Sequence, residues 1–326
     1  MNLLTSSRLK DARACGRLHH LKYARGIRAR HAAEALRDGS LLHALLEAWW
    51  LQRRPEERLS AGLAVLGAAT QAGFEPFAAA RLEAMLTGYD ARWRGEPVEV
   101  LAIEAEFRAP LVNPQSGRAS KAWQLAGKVD GLVRLPDGRV MLLEHKSSSE
   151  DVSPGSDYWR RLRLDSQVSI YYDGARALGH EVAGCIYDVL KKPAVRPQRA
   201  TPPEARKFTR AGELYKGQRI DDETPAEYGA RCLETIAADP SGHYQRGEVV
   251  RFADELDAAR YDVWQTAAQI READRAGRHP RNPDACVRYG RTCEFWRACT
   301  GEASLDDPTL FQRLDFVHPE LTAPGA

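Results

Sequence analysis

Two carboxylates and a lysine stand close together near the middle of this 326-residue chain: Asp130 in Gly127-Lys128-Val129-Asp130-Gly131, then Glu144 and Lys146 in Glu144-His145-Lys146. Glu144 and Lys146 are two apart, so in a strand they project from one face. Hydrolysis of a phosphodiester calls for a divalent cation that polarises the phosphate and lowers the pKa of an attacking water. Hard cations such as Mg2+ or Mn2+ take carboxylate oxygens from separate backbone positions. Asp130 and Glu144 supply two, and His145 between the acid and the lysine is a further candidate ligand. Lys146 would position the water or offset charge developing in the transition state. The plain alternative is an exposed strand pair carrying a cross-strand ion pair. Against it, Val140-Met141-Leu142-Leu143 runs apolar directly into Glu144, which places that carboxylate at the end of a buried strand. Glu104 and Glu106 on the preceding strand are auxiliary candidates between which the sequence does not choose.

The cysteines offer a second chemistry. Cys286, Cys293 and Cys299 share one segment and Cys15 stands alone near the start. Thiolates grouped in this way suit zinc or an iron-sulfur cluster, both of which accept four cysteines. Joining all four would close most of the chain into a loop and restrict the unfolded ensemble. Cys185, in an apolar strand, and Cys232, on a helix, read as buried thiols that pack as small hydrophobes.

The elements that must position these groups follow from periodicity. Residues Ser7 to Trp50 and Ala61 to Trp93 carry apolar side chains at three- and four-residue spacing and predict helices. From Val98 to Ser147 the pattern alternates, with turn signals at Asn113-Pro114 and Pro136-Asp137-Gly138, which predicts a three-strand meander whose last two strands form a hairpin. A helix from Tyr158 to Leu178, ended by Gly179, then leads to a strand from Val182 to Leu190. The stretch from Lys191 to Arg210 holds seven basic residues against one acidic and reads as an exposed loop. A second helical region runs from Thr224 to Ala276, interrupted near Asp239-Pro240-Ser241-Gly242 and by a strand around Val249 to Phe252. The corresponding divisions are 1–97, helical, with Cys15 and His43; 98–192, the core; 193–222, the basic loop; 223–302, helical, with the cysteines; and 303–326, a frayed tail. A hairpin feeding a helix and another strand predicts an α/β fold with a mixed central sheet and helices on both faces.

Net charge of +2 gives no global basic field, so contacts to nucleic acid must be local. Arg25, Arg28 and Arg30, the group Arg160, Arg161 and Arg163 beside Tyr158 and Trp159, and Lys191 with Lys192 are the candidates. No stretch approaches the ~20 apolar residues of a membrane span, and the N-terminus lacks a signal-peptide core, so a cytoplasmic location is expected. There is no G-x4-G-K-S/T loop, so strand unwinding would need a helicase or recombination partner.

Taken in order, these motifs resemble the RecB-like branch of the PD-(D/E)XK nucleases, over roughly residues 5 to 300. Gly127 to Gly131 followed by Glu144-His145-Lys146 matches its core. Gly39-Ser40-Leu41-Leu42-His43 resembles its G-x-x-x-H element, and Gln167 with Tyr171 its Q-x-x-x-Y element. The resemblance implies a restriction-endonuclease-like core, His43 as an additional metal ligand, Gln167 and Tyr171 facing the substrate, and metal-dependent, exonucleolytic cleavage of DNA in recombination, repair or phage DNA processing. One early and three late cysteines resemble the iron-sulfur staple of AddB-type and CRISPR-associated RecB-like nucleases, which implies a 4Fe-4S cluster clasping the N- and C-terminal segments, with Zn2+ as the alternative. The spacings C-x6-C and C-x5-C depart from the C-x2-C pair common in those relatives. Two rival readings remain: a non-catalytic DNA-binding or scaffold protein of the same fold, and a zinc-bound structural protein with incidental carboxylates.

Overall fold

The Pro136-Asp137-Gly138 turn forms as expected: Gly138 adopts φ +88° and its N–H donates to Leu135 O at 2.9 Å. It joins two strands of a mixed sheet in the computed structural model, which describes residues 1–30, 34–288 and 291–323. Three expectations touch residues outside these: 31–33 in the first helical stretch, 289–290 in the cysteine segment and 324–326 in the tail.

The sheet contains β1 (Asn2–Leu4), β2 (Glu99–Val112), β3 (Ala119–Arg134), β4 (Val140–Ser148), β5 (Gly184–Lys191) and β6 (Tyr244–Val249). Long antiparallel pairing with β2 fills one edge of β3. On the other edge β1 pairs parallel with Trp123, Gln124 and Leu125, while β4 pairs antiparallel only with residues Gly131 to Arg134. Between Leu125 and Gly131 that edge therefore has no ladder partner, and β3 and β4 part to make a fork. Beyond it β4 runs parallel to β5, and β5 antiparallel to β6.

Alternation along these strands splits the core in two. Leu125, Val129, Leu132, Leu142 and Tyr187 pack on one face against α1 (Ser6–Ala14), α5 (Ser166–Ala177) and α7 (Ala253–Ala276). Val133, Met141, Leu143, Ile186 and Tyr244 pack on the other against α2 (Glu34–Leu51), α3 (Pro55–Gln71), α4 (Pro76–Trp93) and α6 (Pro225–Ala238). Helix boundaries follow local chemistry: Pro sits at the start of α3, α4 and α6, where its missing N–H costs nothing, and Thr224 with Glu227 makes a capping box on α6.

The sequence reading needs correcting in four places. The helix expected over Tyr158 to Leu178 is broken, because Asp165 accepts from Gln167 N–H at 2.9 Å and starts a new helix after the short Asp157–Leu162 turn. Ile27–Ala29 is a strand rather than helix, paired antiparallel with Phe311–Arg313. That pairing, with buried His318 and Leu321, means the tail is docked through residue 323 instead of frayed. The strand expected at Val249 to Phe252 lies earlier, at β6, where Tyr244 supplies the buried anchor.

Candidate active site

At the mouth of the fork Asp130 turns its carboxylate into the space where β4 has left β3, and Oδ2 accepts the backbone N–H of His145 at 2.7 Å. The side chain thereby replaces a missing ladder bond and is held between the strands. His43, on α2, brings Nδ1 to 3.5 Å from the same oxygen. Across β3, the register of residues 102–106 with 128–132 sets Glu104 opposite Asp130. Glu104 has φ +49°, a left-handed conformation for a residue with a Cβ, and follows a register shift between Val100 and Ala102. Such strain costs on the order of 1–3 kcal/mol and is retained where it re-aims a side chain. One ligand atom each from His43, Glu104 and Asp130 lies within 4.8 Å of the others. Glu106, by contrast, accepts from Thr322 and caps the tail.

Glu144 and Lys146 leave β4 on the face covered by α5. Lys146 Nζ bonds Glu144 Oε1 and also donates to Gln167 Oε1 at 3.3 Å. The Gln167 amide donates to Glu144 Oε1 at 2.6 Å and to the Tyr171 hydroxyl at 3.0 Å. Tyr171 is buried, packs edge-on against Phe107, and lies over Gly127, where a Cβ would come 2.8 Å from Phe107 and 3.2 Å from Tyr171. The first glycine of the Gly127-to-Gly131 run thus makes room for these two rings. Gln167 and Tyr171 are brought to Glu144 itself, so they orient the carboxylate from behind.

Electrostatics separate the two acids. Burial works to raise the Asp130 pKa, but the His43 contact overrides it and holds the carboxyl below the usual range. Burial and then the nearby Asp130 charge push Glu144 up. Burial opposes the Lys146 charge, yet Glu144 and Asp130 more than compensate and raise its pKa, so it stays an ammonium. Burial raises Glu104 while Lys128 pulls it back. Glu144 Oε2 is buried and has no hydrogen-bond partner. A divalent cation would satisfy that orphaned oxygen, so the donor set fits a hard metal ion.

His145 is not brought into this cluster. Its side chain points to the other face of the sheet, with Nδ1 3.1 Å from the fully buried Asp188, which also accepts from Tyr89 at 2.5 Å and Arg246 at 3.0 Å. Of the candidate phosphate contacts, Arg28 is spent on the carbonyls of Ile27 and Val317 and on the Tyr23 ring, and Arg30 on Pro308 O. Arg161 pairs with Glu150. Lys191 is the last residue of β5, paired with Ser148 at the end of β4, and Lys192 follows it; Lys192 N–H donates to Ser148 O at 2.8 Å and its Nζ lies 3.8 Å from Asp38. Cys15, Cys286, Cys293 and Cys299 all line one small cavity, with Leu18, Leu21 and Phe295 closing it. Cys185 and Cys232 are buried elsewhere.

The sheet splits to hold Asp130, and the parting strand carries Glu144 and Lys146. The chain belongs to the PD-(D/E)XK nuclease superfamily, which matches residues 3–300. Among solved structures it is similar to one titled "Crystal structure of SSO0001", at 16% identity over 80% of this chain and 84% of that one, with a TM-score of 0.24. No curated protein matches. Among the described residues no helix is long and apolar enough to cross a membrane.

Proposed function

We propose that this protein is a Mg2+-dependent deoxyribonuclease of RecB-like type that degrades DNA from ends in recombination, repair or phage DNA processing. The observation that carries the reading is the fork: Asp130 seated between parted strands, with His43 and Glu104 within ligand distance and Glu144 presenting an unpartnered buried oxygen. His43, Glu104, Asp130 and Glu144 would hold the cation. When bound, it polarises the scissile phosphate and lowers the pKa of the attacking water. Lys146, fixed between Glu144 and Gln167, supplies a permanent positive charge to the phosphate as negative charge builds on it. Gln167, backed by Tyr171, orients Glu144, and Lys191, at the end of β5, is assigned with Lys192 to the incoming backbone. His145 is assigned to holding β4 through Asp188.

The four cysteines are assigned a 4Fe-4S cluster. The observation that supports a shared cofactor is that all four line one cavity, and zinc is the alternative.

Digestion of end-labelled single- and double-stranded DNA with Mg2+, Mn2+ or EDTA tests the reading. Cleavage that needs the metal and shortens the strand from an end supports it. Binding without cleavage under every condition supports a scaffold instead.

A further inference from the structure

Just past Cys15 the chain makes a π-helical turn, His20–Ala24, closed by Arg25 N–H donating to His20 O at 3.0 Å. Such turns are rare and concentrate at functional sites. Facing it, α7 ends at Gly277, whose φ of +61° turns the chain so that His279 comes back beside Asp274. The two segments are tied together: Arg17 N–H donates to Pro280 O at 3.0 Å, and a Cβ on Gly16 would lie 3.1 Å from Pro280 Cδ. This contact stacks the His20 and His279 rings, with centroids 3.7 Å apart and planes 16° from parallel. One ligand atom each from His20, Asp274 and His279 lies within 4.8 Å of the others. His20 Nδ1 is buried and makes no hydrogen bond. A buried nitrogen left in that state is unfavourable, and a bound ligand would relieve it.

We propose that His20, Asp274 and His279 form a binding site for a transition-metal dication, Zn2+ before others, distinct from the fork and from the cysteine cavity. Two imidazoles and a carboxylate are donors that favour Zn2+, Ni2+ or Co2+ over Mg2+. Bonds of ~2.0–2.2 Å put tetrahedral ligand atoms ~3.4 Å apart and need each ring plane to point at the metal, so binding turns the stacked rings out of parallel as it draws the ligand atoms together. The fourth position is left to water. Arg17 and Arg25 add positive charge near His20, which makes the site weaker than a four-ligand structural zinc centre. A metal there would bridge the π turn to the end of α7 and brace the root of the segment that carries the three late cysteines.

The test uses full-length protein with its cysteine-bound cofactor in place and the Asp130→Asn change to disable the fork. After equilibration with micromolar Zn2+ and desalting, metal analysis should find one zinc per chain. His20→Ala or His279→Ala in that background should remove it and leave iron and sulfide unchanged. Zn2+ should raise the melting temperature of the parent but not of the histidine variants. Asp274→Asn should weaken retention about tenfold. Failure of the parent to retain zinc overturns the proposal, as does zinc that survives both histidine changes. Zinc lost only on Cys299→Ser belongs to the cysteine cavity and also overturns it. His279→Gln, at a half-buried position, serves where His20→Ala disturbs folding.

Discussion

Gln167 Nε2 donates to Glu144 Oε1 at 2.6 Å, and with Lys146 bonded to that same oxygen, Glu144 Oε2 is the one left without a partner. The same amide holds Tyr171, and its carbonyl oxygen accepts from Lys146, so one glutamine sets the position of both the acid and the lysine. Gln167→Ala should therefore lower turnover and weaken apparent Mg2+ affinity by about 10–100-fold, as loss of a group that orients a metal ligand typically does. Tyr171→Phe, which removes only the hydroxyl behind Gln167, should cost less. Metal titration of cleavage rate checks both. Unchanged Mg2+ dependence in Gln167→Ala would place the residue outside the metal site.

Asp130→Asn keeps an oxygen able to accept the His145 N–H and should fold with wild-type melting behaviour. It loses the charge that faces His43 and Glu104, so Mg2+-dependent cleavage should fall at least a thousandfold. A single-turnover assay on nuclease-free protein decides. Wild-type cleavage by this variant would show that the fork is not the catalytic centre.

His145 separates two roles by one measurement. As a residue that holds β4 through Asp188, its change to Ala should reduce stability by about 1–3 kcal/mol in urea and leave Mg2+ affinity within a few-fold. A 10–100-fold loss of Mg2+ affinity with unaltered stability would restore it as a ligand. In the same buried network, Arg246→Met should cost about 3–5 kcal/mol, because it leaves the Asp188 charge without its strongest partner.

Cys15→Ser, Cys286→Ser, Cys293→Ser and Cys299→Ser should each bleach a brown, anaerobically purified protein and lower its melting temperature, whereas Cys185→Ser and Cys232→Ser should keep the colour. Iron and acid-labile sulfide assays provide the check. Colourless wild type with stoichiometric zinc would assign the cavity to that metal.

His19 provides a pH signature away from the fork. Burial, reinforced by the Arg8 guanidinium that donates to its Nε2 at 3.0 Å, lowers its pKa to about 3. The unfolded chain binds that proton near the ordinary value of ~6.5, so between about 6.5 and 3 it holds more protons than the folded one. The stabilisation is complete above about pH 6.5 and is lost as pH falls through this window, by on the order of a few kcal/mol. Denaturant unfolding at pH 7.5 and 5 should show a smaller drop for His19→Gln than for wild type. Equal drops would remove His19 as the cause.

Much of the site was legible because it rests on local rules. Alternation put Glu144 and Lys146 on one face, the Pro136-Asp137-Gly138 turn set the hairpin, and i,i+4 spacing aligned Gln167 with Tyr171. What escaped depends on long-range geometry. Glu104 could not be chosen over Glu106, since the choice turns on a register shift and a positive φ that leave no mark on hydropathy. His145 reads as a ligand by its place between Glu144 and Lys146, yet the pleat sends it to the opposite face, where Asp188 from β5 meets it. The strands Asn2–Leu4 and Ile27–Ala29 are each three residues long and acquire partners only from distant segments, so no periodicity announces them.

The pairing of Ile27–Ala29 with Phe311–Arg313, beside a cavity that draws Cys15 together with Cys286, Cys293 and Cys299, carries a consequence for synthesis. Synthesis delivers Cys15 and Ile27–Ala29 more than two hundred residues before their partners, so the contacts between them form only after most of the chain has been made. The cavity that groups the four cysteines can therefore be complete only once Cys299 has emerged. A chain stopped before Phe311–Arg313 would leave Ile27–Ala29 without its partner strand, so this pairing reports whether the later segment is present.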